Sequence, residues 1–203
     1  MIGPIYFVTD ADAPHSILDQ ARAAANGGAN AVQLRDKVLS DREFHDLAVM
    51  LMTELKPSGV KVIVNDRVHV AQSSKAHGVH VGQSDGHAEE ARERLGPLAI
   101  IGLSIENLAQ CADVPGCVDY IGAGPVRATA TKPDHAPPIG FEGLAEIAAA
   151  SAVPTIAIGG LGFGDAAAIK QAGCAGLAVV SAISRADDPQ TAARALLNDW
   201  NTA

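Results

Sequence analysis

The chain has 203 residues, 48% of them apolar, 19% charged and 3% aromatic, with a formal charge of -8. This describes one globular domain over 1–203 and excludes disorder for most of it; with so few aromatic rings, the core has to come from Ala, Val, Ile and Leu. The negative balance argues against a nonspecific grip on nucleic acid or an anionic membrane, so an anionic ligand must meet a local cluster of cations.

In chain order, β-branched apolar runs alternate with helical patterns. The runs occupy residues 5–9, 31–35, 61–65, 78–81, 99–103, 118–121, 154–158 and 176–180. Most are continuously apolar, as expected for parallel strands covered on both sides. The clearest helix pattern is 40–55, where Phe44, Leu47, Ala48, Leu51 and Leu55 recur at helical spacing and Ser40 with Glu43 reads as a capping box. Asp188-Pro189 opens the last helix as a cap followed by Pro at the first helical position. Gly27-Gly28, Gly59, Gly96 and Gly173 stand where helices must stop. Eight units averaging roughly 25 residues predict an α/β fold, a single-domain (β/α)8 TIM barrel, with an open doubly wound sheet as the alternative. The one long connection, 122–140, follows the sixth strand, and loops of that length are often functional.

The three cysteines, Cys111, Cys117 and Cys174, are odd in number and fit neither C-x-x-C nor zinc-site spacing. A reduced cytoplasmic setting is the simpler reading. The first ten residues lack a secretion signal and no apolar stretch reaches the roughly 18 residues of a membrane span, so a soluble, unprocessed chain is expected.

In a barrel the active centre lies at the carboxyl ends of the strands, and polar residues collect there. Strand two runs into Gln33, Arg35 and Lys37, strand three into Asn65, Asp66 and Arg67, strand four into Gln83 and Asp85, and strand five into Ser104. The long connection carries Thr129, Thr131 and Lys132, strand seven ends in Gly159-Gly160-x-Gly162, and strand eight in Ser181. Arg35, Lys37, Arg67 and Lys132 on one rim of an acidic protein point to an anion. The glycine turn and the Ser181 turn suit a phosphate held by backbone N–H groups, or serve only as tight turns. Asp66 and Asp85 can share Mg2+ over a pyrophosphate, or each can cap the helix that follows. Gln33, Arg35 and Lys37 leave strand two on one side of the pleat, where an amide can read a heteroaromatic ring beside two cations; a solvated surface pair is the plainer reading. The threonines and Lys132 offer two hydroxyls and an ammonium, or a solvated turn. No histidine is assigned to catalysis, and His80 is read as packed or at the rim.

Tyr6-Phe7-Val8-Thr9-Asp10, Gln33-Leu34-Arg35-Asp36-Lys37, Asn65-Asp66-Arg67, Gly78-Val79-His80-Val81-Gly82-Gln83-Ser84-Asp85, Asp119 to Pro125, Thr129-Ala130-Thr131-Lys132, Ala157-Ile158-Gly159-Gly160 and Val180-Ser181-Ala182-Ile183 together resemble the thiamine-phosphate synthase family. The resemblance covers nearly the whole chain in order. It implies a (β/α)8 barrel transferase that joins 4-amino-2-methyl-5-hydroxymethylpyrimidine diphosphate to a thiazole phosphate, or its 2-carboxy form, giving thiamine monophosphate and pyrophosphate. It further implies Mg2+ on Asp66 and Asp85, pyrophosphate on Arg35, Lys37, Asn65 and Lys132, the pyrimidine beside Gln33 and Ser104, and the thiazole phosphate near Thr129, Thr131, Gly160 and Ser181. Catalysis falls to Arg35, Lys37, Lys132 and Ser104 through leaving-group stabilisation, with no protein nucleophile. Partners are the two small molecules, with no nucleic acid or membrane; a homo-oligomer is compatible. One departure is Arg127-Ala128 where many members read Phe-Pro; Arg127 could reach a phosphate, a thiazole carboxylate or only solvent, with solvent the first expectation. The related thiazole tautomerase would carry a histidine where this chain has Pro125, and a catalytically silent phosphate-binding regulatory barrel would be free to lose Asp66, Asp85 or Lys132.

Overall fold

The computed structural model describes residues 2–84, 88–132 and 135–203. Eight parallel strands, β1 (Ile5–Val8), β2 (Ala31–Leu34), β3 (Lys61–Asn65), β4 (Gly78–Val81), β5 (Ile100–Ile105), β6 (Tyr120–Ala123), β7 (Thr155–Ile158) and β8 (Gly176–Val179), pair in chain order into a closed barrel. Closure is made by β8 against β1, with Ile5 opposite Leu177, Tyr6 opposite Ala178 and Phe7 opposite Val179, which removes the open-sheet alternative. Outside lie α1 (Ile17–Gly27), α2 (Asp41–Leu55), α3 (Val68–Ser74), α4 (Ala88–Leu95), α5 (Gly140–Ala150), α6 (Ala166–Gln171), α7 (Ser181–Ser184) and α8 (Pro189–Thr202). None of the described helices is long and apolar enough to cross a membrane.

The unbroken apolar character of the strands follows from two cores. Ile5 and Phe7 belong to the layer packed under the helices, together with Val62, Val64, Val79 and Val81. Their neighbours Tyr6 and Val8 point the other way, into a smaller barrel interior shared with Ala31, Ile63, Tyr120, Ile156 and Ala178. Alternate residues of one strand are thus buried on opposite sides. Local signals hold as well. Ser40 and Glu43 close a full capping box on α2, and Asp188 accepts from Thr191 N with Pro189 in the first turn of α8.

Most strand ends agree with the sequence reading to within one residue, but the end of β5 and both ends of β6 are displaced by two. β5 continues to Ile105, so Ser104 lies within the strand and sits opposite Gly122 of β6. β6 begins at Tyr120, two residues later than the apolar run suggests. Val118 N instead bonds Pro115 O in a lead-in turn, and Asp119 Oδ2 is taken by Arg92 and by Ile101 N. Between these strands a 3-10 helix, Leu108–Asp113, replaces the α-helix the repeat would supply.

Candidate active site

At the carboxyl ends of the strands the barrel opens into a cavity of about 330 Å3. Gln33, Arg35, Lys37, Asn65 and Ser104 line it, and so do Thr129, Thr131, Lys132, Gly160 and Ser181. Residues from Gln33 to Ser181 therefore meet at one mouth because each lies in the carboxyl half of a strand of the same barrel or in the connection that follows one.

The floor is a chain of buried hydrogen bonds. Gln33 Nε2 donates to Tyr6 Oη at 2.9 Å, Tyr6 Oη lies 2.9 Å from Tyr120 Oη, Tyr120 Oη lies 2.9 Å from His80 Nδ1, and His80 Nε2 lies 3.0 Å from Ser104 Oγ. Both phenols are 2% exposed. Burial pushes Tyr6 far above the usual phenol range, against the lowering effect of its bonds to Tyr120 and Gln33. Burial likewise raises Tyr120, reinforced by Tyr6. Both hydroxyls stay protonated. Gly102 makes room for this chain, since a Cβ there would overlap the Tyr120 ring and His80 Nδ1. The five side chains fix Gln33 and Ser104 at its two ends. Sequence reasoning missed both tyrosines and gave His80 no such link, although a usable signal exists. The chain has only two tyrosines, and a phenol inside a small barrel must find a partner.

One wall is ionic. Lys37 Nζ is hydrogen-bonded to Asp66 Oδ2, which also accepts from Asn65 Nδ2 at 2.7 Å. Asp66 stands behind Lys37 and Asn65 and does not itself line the cavity. Its backbone is left-handed, with φ of 53°, a region aspartate tolerates better than most residues. The cap position of α3 belongs to Arg67 and carries no side-chain capping bond, so Asp66 is not a helix cap. Asp85 lies outside the described residues. Among the described residues no group of three or more His, Cys, Asp or Glu is gathered around a common point; of the two aspartates expected to hold a hard cation, Asp66 is the one described, and Asp10, Asp12, Asp36 and Glu106 also bring carboxylates to the cavity lining.

Arg67 corrects the reading of four cations on one rim. Its guanidinium lies 4.4 Å from the Phe44 ring centroid and pairs with Asp41 at 3.1 Å, away from the cavity lining. Lys132 does reach the mouth, where its ammonium is 3.5 Å from Glu106 Oε1, a carboxylate the sequence reading did not single out. Thr129 Oγ1 and Thr131 Oγ1 are 2.9 Å apart.

The strand-seven turn is left-handed at Gly159 and Gly160, with φ of 99° and 65°, and a Cβ on Gly159 would strike Pro125 at 2.5 Å. Only glycine fits both the angles and the approach. Ser181 opens α7, and the following turn is tied down by Asp10, whose Oδ2 accepts from Ser184 Oγ at 3.2 Å and Arg185 Nε at 2.9 Å. The expectation of solvent for Arg127 is also corrected. It forks onto Asp165 with contacts of 2.7 and 2.9 Å.

Fold and mouth together define a (β/α)8 barrel with a polar, cation-bearing cavity at the carboxyl ends of its strands. A family profile described as thiamine monophosphate synthase matches residues 5–183. The chain belongs to that family. It is 45% identical over 199 residues to a thiamine-phosphate synthase of Psychrobacter sp. (strain PRwf-1), covering 95% of this chain and 93% of the relative. To a thiamine-phosphate synthase of Albidiferax ferrireducens it is 44% identical over 194 residues, covering 93% and 88%. A solved thiamine phosphate pyrophosphorylase from Pyrococcus furiosus superposes with a TM-score of 0.88 at 32% identity, covering 98% of this chain and 96% of that one.

Proposed function

We propose that the protein is a thiamine-phosphate synthase, a transferase that joins 4-amino-2-methyl-5-hydroxymethylpyrimidine diphosphate to 4-methyl-5-(2-hydroxyethyl)thiazole phosphate and releases pyrophosphate. The observation that carries this reading is the meeting, in one cavity, of an amide and a hydroxyl held by a buried polar chain with Arg35, Lys37, Lys132 and a glycine turn. The first pair suits a heteroaromatic ring, and the rest suits phosphates. A thiazole tautomerase would need a base in the strand-six turn, where Pro125 stands.

The bond broken is that between the pyrimidine methylene carbon and the diphosphate oxygen. Its electron pair leaves with the diphosphate, the aminopyrimidine delocalises the cation, and the thiazole nitrogen supplies the pair for the new carbon–nitrogen bond. No protein nucleophile is required. Arg35 and Lys37 meet phosphate oxygens, Asn65 adds a neutral donor, and Lys132 closes over the departing group. In the structure both ammoniums are matched by carboxylates, Lys37 by Asp66 and Lys132 by Glu106. A diphosphate competes for both, which frees Asp66 as an oxygen ligand. Asp66 and Asp85 would hold Mg2+, whose charge offsets that developing on the leaving group. Thr129, Thr131, Gly160 and Ser181 would take the thiazole phosphate. We assign the protein to the cytoplasm, acting on small molecules.

The test is to mix both substrates with Mg2+ and follow pyrophosphate and thiamine monophosphate. Both should appear in equal amounts; an isomerised thiazole without pyrophosphate would favour a tautomerase.

A further inference from the structure

Arg127 leads the segment that carries Thr129, Thr131 and Lys132, and it is bound to the turn that follows β7 at every level. Its backbone N–H donates to Gly159 O at 3.0 Å, just as Val126 N donates to Ile158 O at 2.9 Å. Its guanidinium donates to Gly160 O at 3.1 Å and makes a two-pronged pair with Asp165 at 2.7 and 2.9 Å. Asp165 Oδ2 in turn accepts from Gly162 N at 2.9 Å, so one carboxylate ties the arginine to the third glycine of the turn. The guanidinium also lies 5.1 Å from the Phe141 ring centroid. Asp165 is 14% exposed on its side chain, and a Cβ on Gly160 would meet Arg127 Cβ at 2.7 Å and Ala128 O at 2.9 Å. The loop and the turn are thus pressed together with little slack. A bidentate arginine–carboxylate pair fixes orientation as well as distance, which a single lysine contact cannot do.

We propose that Arg127 and Asp165 form a clamp that sets the separation between the threonine-bearing loop and the Gly159-Gly160 turn, and thereby positions the subsite for the thiazole phosphate. This rests on the function proposed above. Arg127 is a positioning residue. Its guanidinium is directed to Gly160 O and Asp165 and is not part of the cavity lining.

The test combines Arg127→Ala, Asp165→Asn, their double variant and Arg127→Lys, with steady-state constants for each substrate and calorimetric binding of the thiazole phosphate. Asp165→Asn keeps an oxygen for Gly162 N while losing the charge. Each of the Ala and Asn variants should raise KM for the thiazole phosphate and weaken its binding about tenfold, the loss expected for one charge-assisted pair. KM for the pyrimidine diphosphate should move less than about twofold. The double variant should be no worse than either single change, because both break the same pair. Arg127→Lys should fall between, and melting temperatures identify any variant that has simply unfolded, in which case the lysine variant decides. Unchanged thiazole phosphate binding, equal losses for both substrates, or additive effects in the double variant would overturn the clamp. Failure of the wild-type protein to bind the thiazole phosphate at all would instead overturn the function on which it rests.

Discussion

Replacing the two barrel tyrosines by Phe, singly and together, tests the buried chain that holds Gln33 and Ser104. In Tyr6→Phe, Gln33 Nε2 and Tyr120 Oη each lose a partner; in Tyr120→Phe, Tyr6 Oη and His80 Nδ1 do. In the double variant the middle bond vanishes from both sides, and the groups losing a partner are Gln33 Nε2 and His80 Nδ1, again two. At about 1 kcal/mol per group, the low end for buried polar atoms because the mouth admits water, each variant loses about 2 kcal/mol. The double variant also loses about 2 kcal/mol instead of the additive figure of about 4 kcal/mol. Urea denaturation read by circular dichroism measures this directly, and the melting temperatures should fall by about 4–8 °C in all three. Additive losses would refute the connected chain. Activity should follow a similar pattern, with KM for the pyrimidine diphosphate rising in every variant as the two ends drift.

Alkaline stability follows from the same phenols. Burial raises both above their ordinary value of 10.0 in the folded protein. Below pH 10 both states keep these protons and the contribution is complete; above it the unfolded chain ionises first, so unfolding free energy should decline from about pH 10 upward and decline less steeply in the Phe variants. An identical slope in wild type and double variant would contradict this. Asp66→Ala or Lys132→Ala should lower turnover by about two orders of magnitude or more with an unchanged circular dichroism spectrum, and near-normal turnover in both would reject the assigned roles. Chelation of divalent metal should abolish pyrophosphate release and restoring Mg2+ should recover it; full activity in chelator would remove the metal from the mechanism. Burial pushes the Cys174 thiol up to about 11, so at pH 8 this cysteine should resist a thiol reagent until the protein is unfolded, and rapid labelling in the native state would contradict its placement.

What the sequence revealed divides along the range of the interaction. The eight strands are legible because each is buried on both sides and reads as an apolar run, and the Ser40–Glu43 box is legible because its partners lie three residues apart. The approach of Gln33, Arg35 and Lys37 to one mouth is readable from the alternation of the pleat. Contacts made across the barrel are not. Tyr6 and Tyr120 are 114 residues apart, and Arg127 and Asp165 are 38 apart. Arg67 illustrates the converse error. Its position beside Asn65 and Asp66 suggests the rim, yet a carboxylate on α2 and the Phe44 ring offer it a better site than the cavity does. The strand-six boundary slipped because Val118 packs into the outer core from a turn, and burial in a turn looks in sequence like burial in a strand. Asp66 could not be separated from a helix cap in the sequence, since what excludes the cap is its left-handed backbone and side-chain bonds to Lys37 and Asn65, with the cap position of α3 falling to Arg67.

On the proposed function, the carboxyl end of this barrel strips diphosphate from the pyrimidine methylene and delivers the thiazole nitrogen to the same carbon. A single-turnover mixture of purified protein, both substrates and Mg2+, quenched and resolved chromatographically, tests it most directly. One thiamine monophosphate and one pyrophosphate per active site are expected, both lost in Asp66→Ala. Pyrophosphate without thiamine monophosphate, or neither product from a folded protein that binds both substrates, would contradict it.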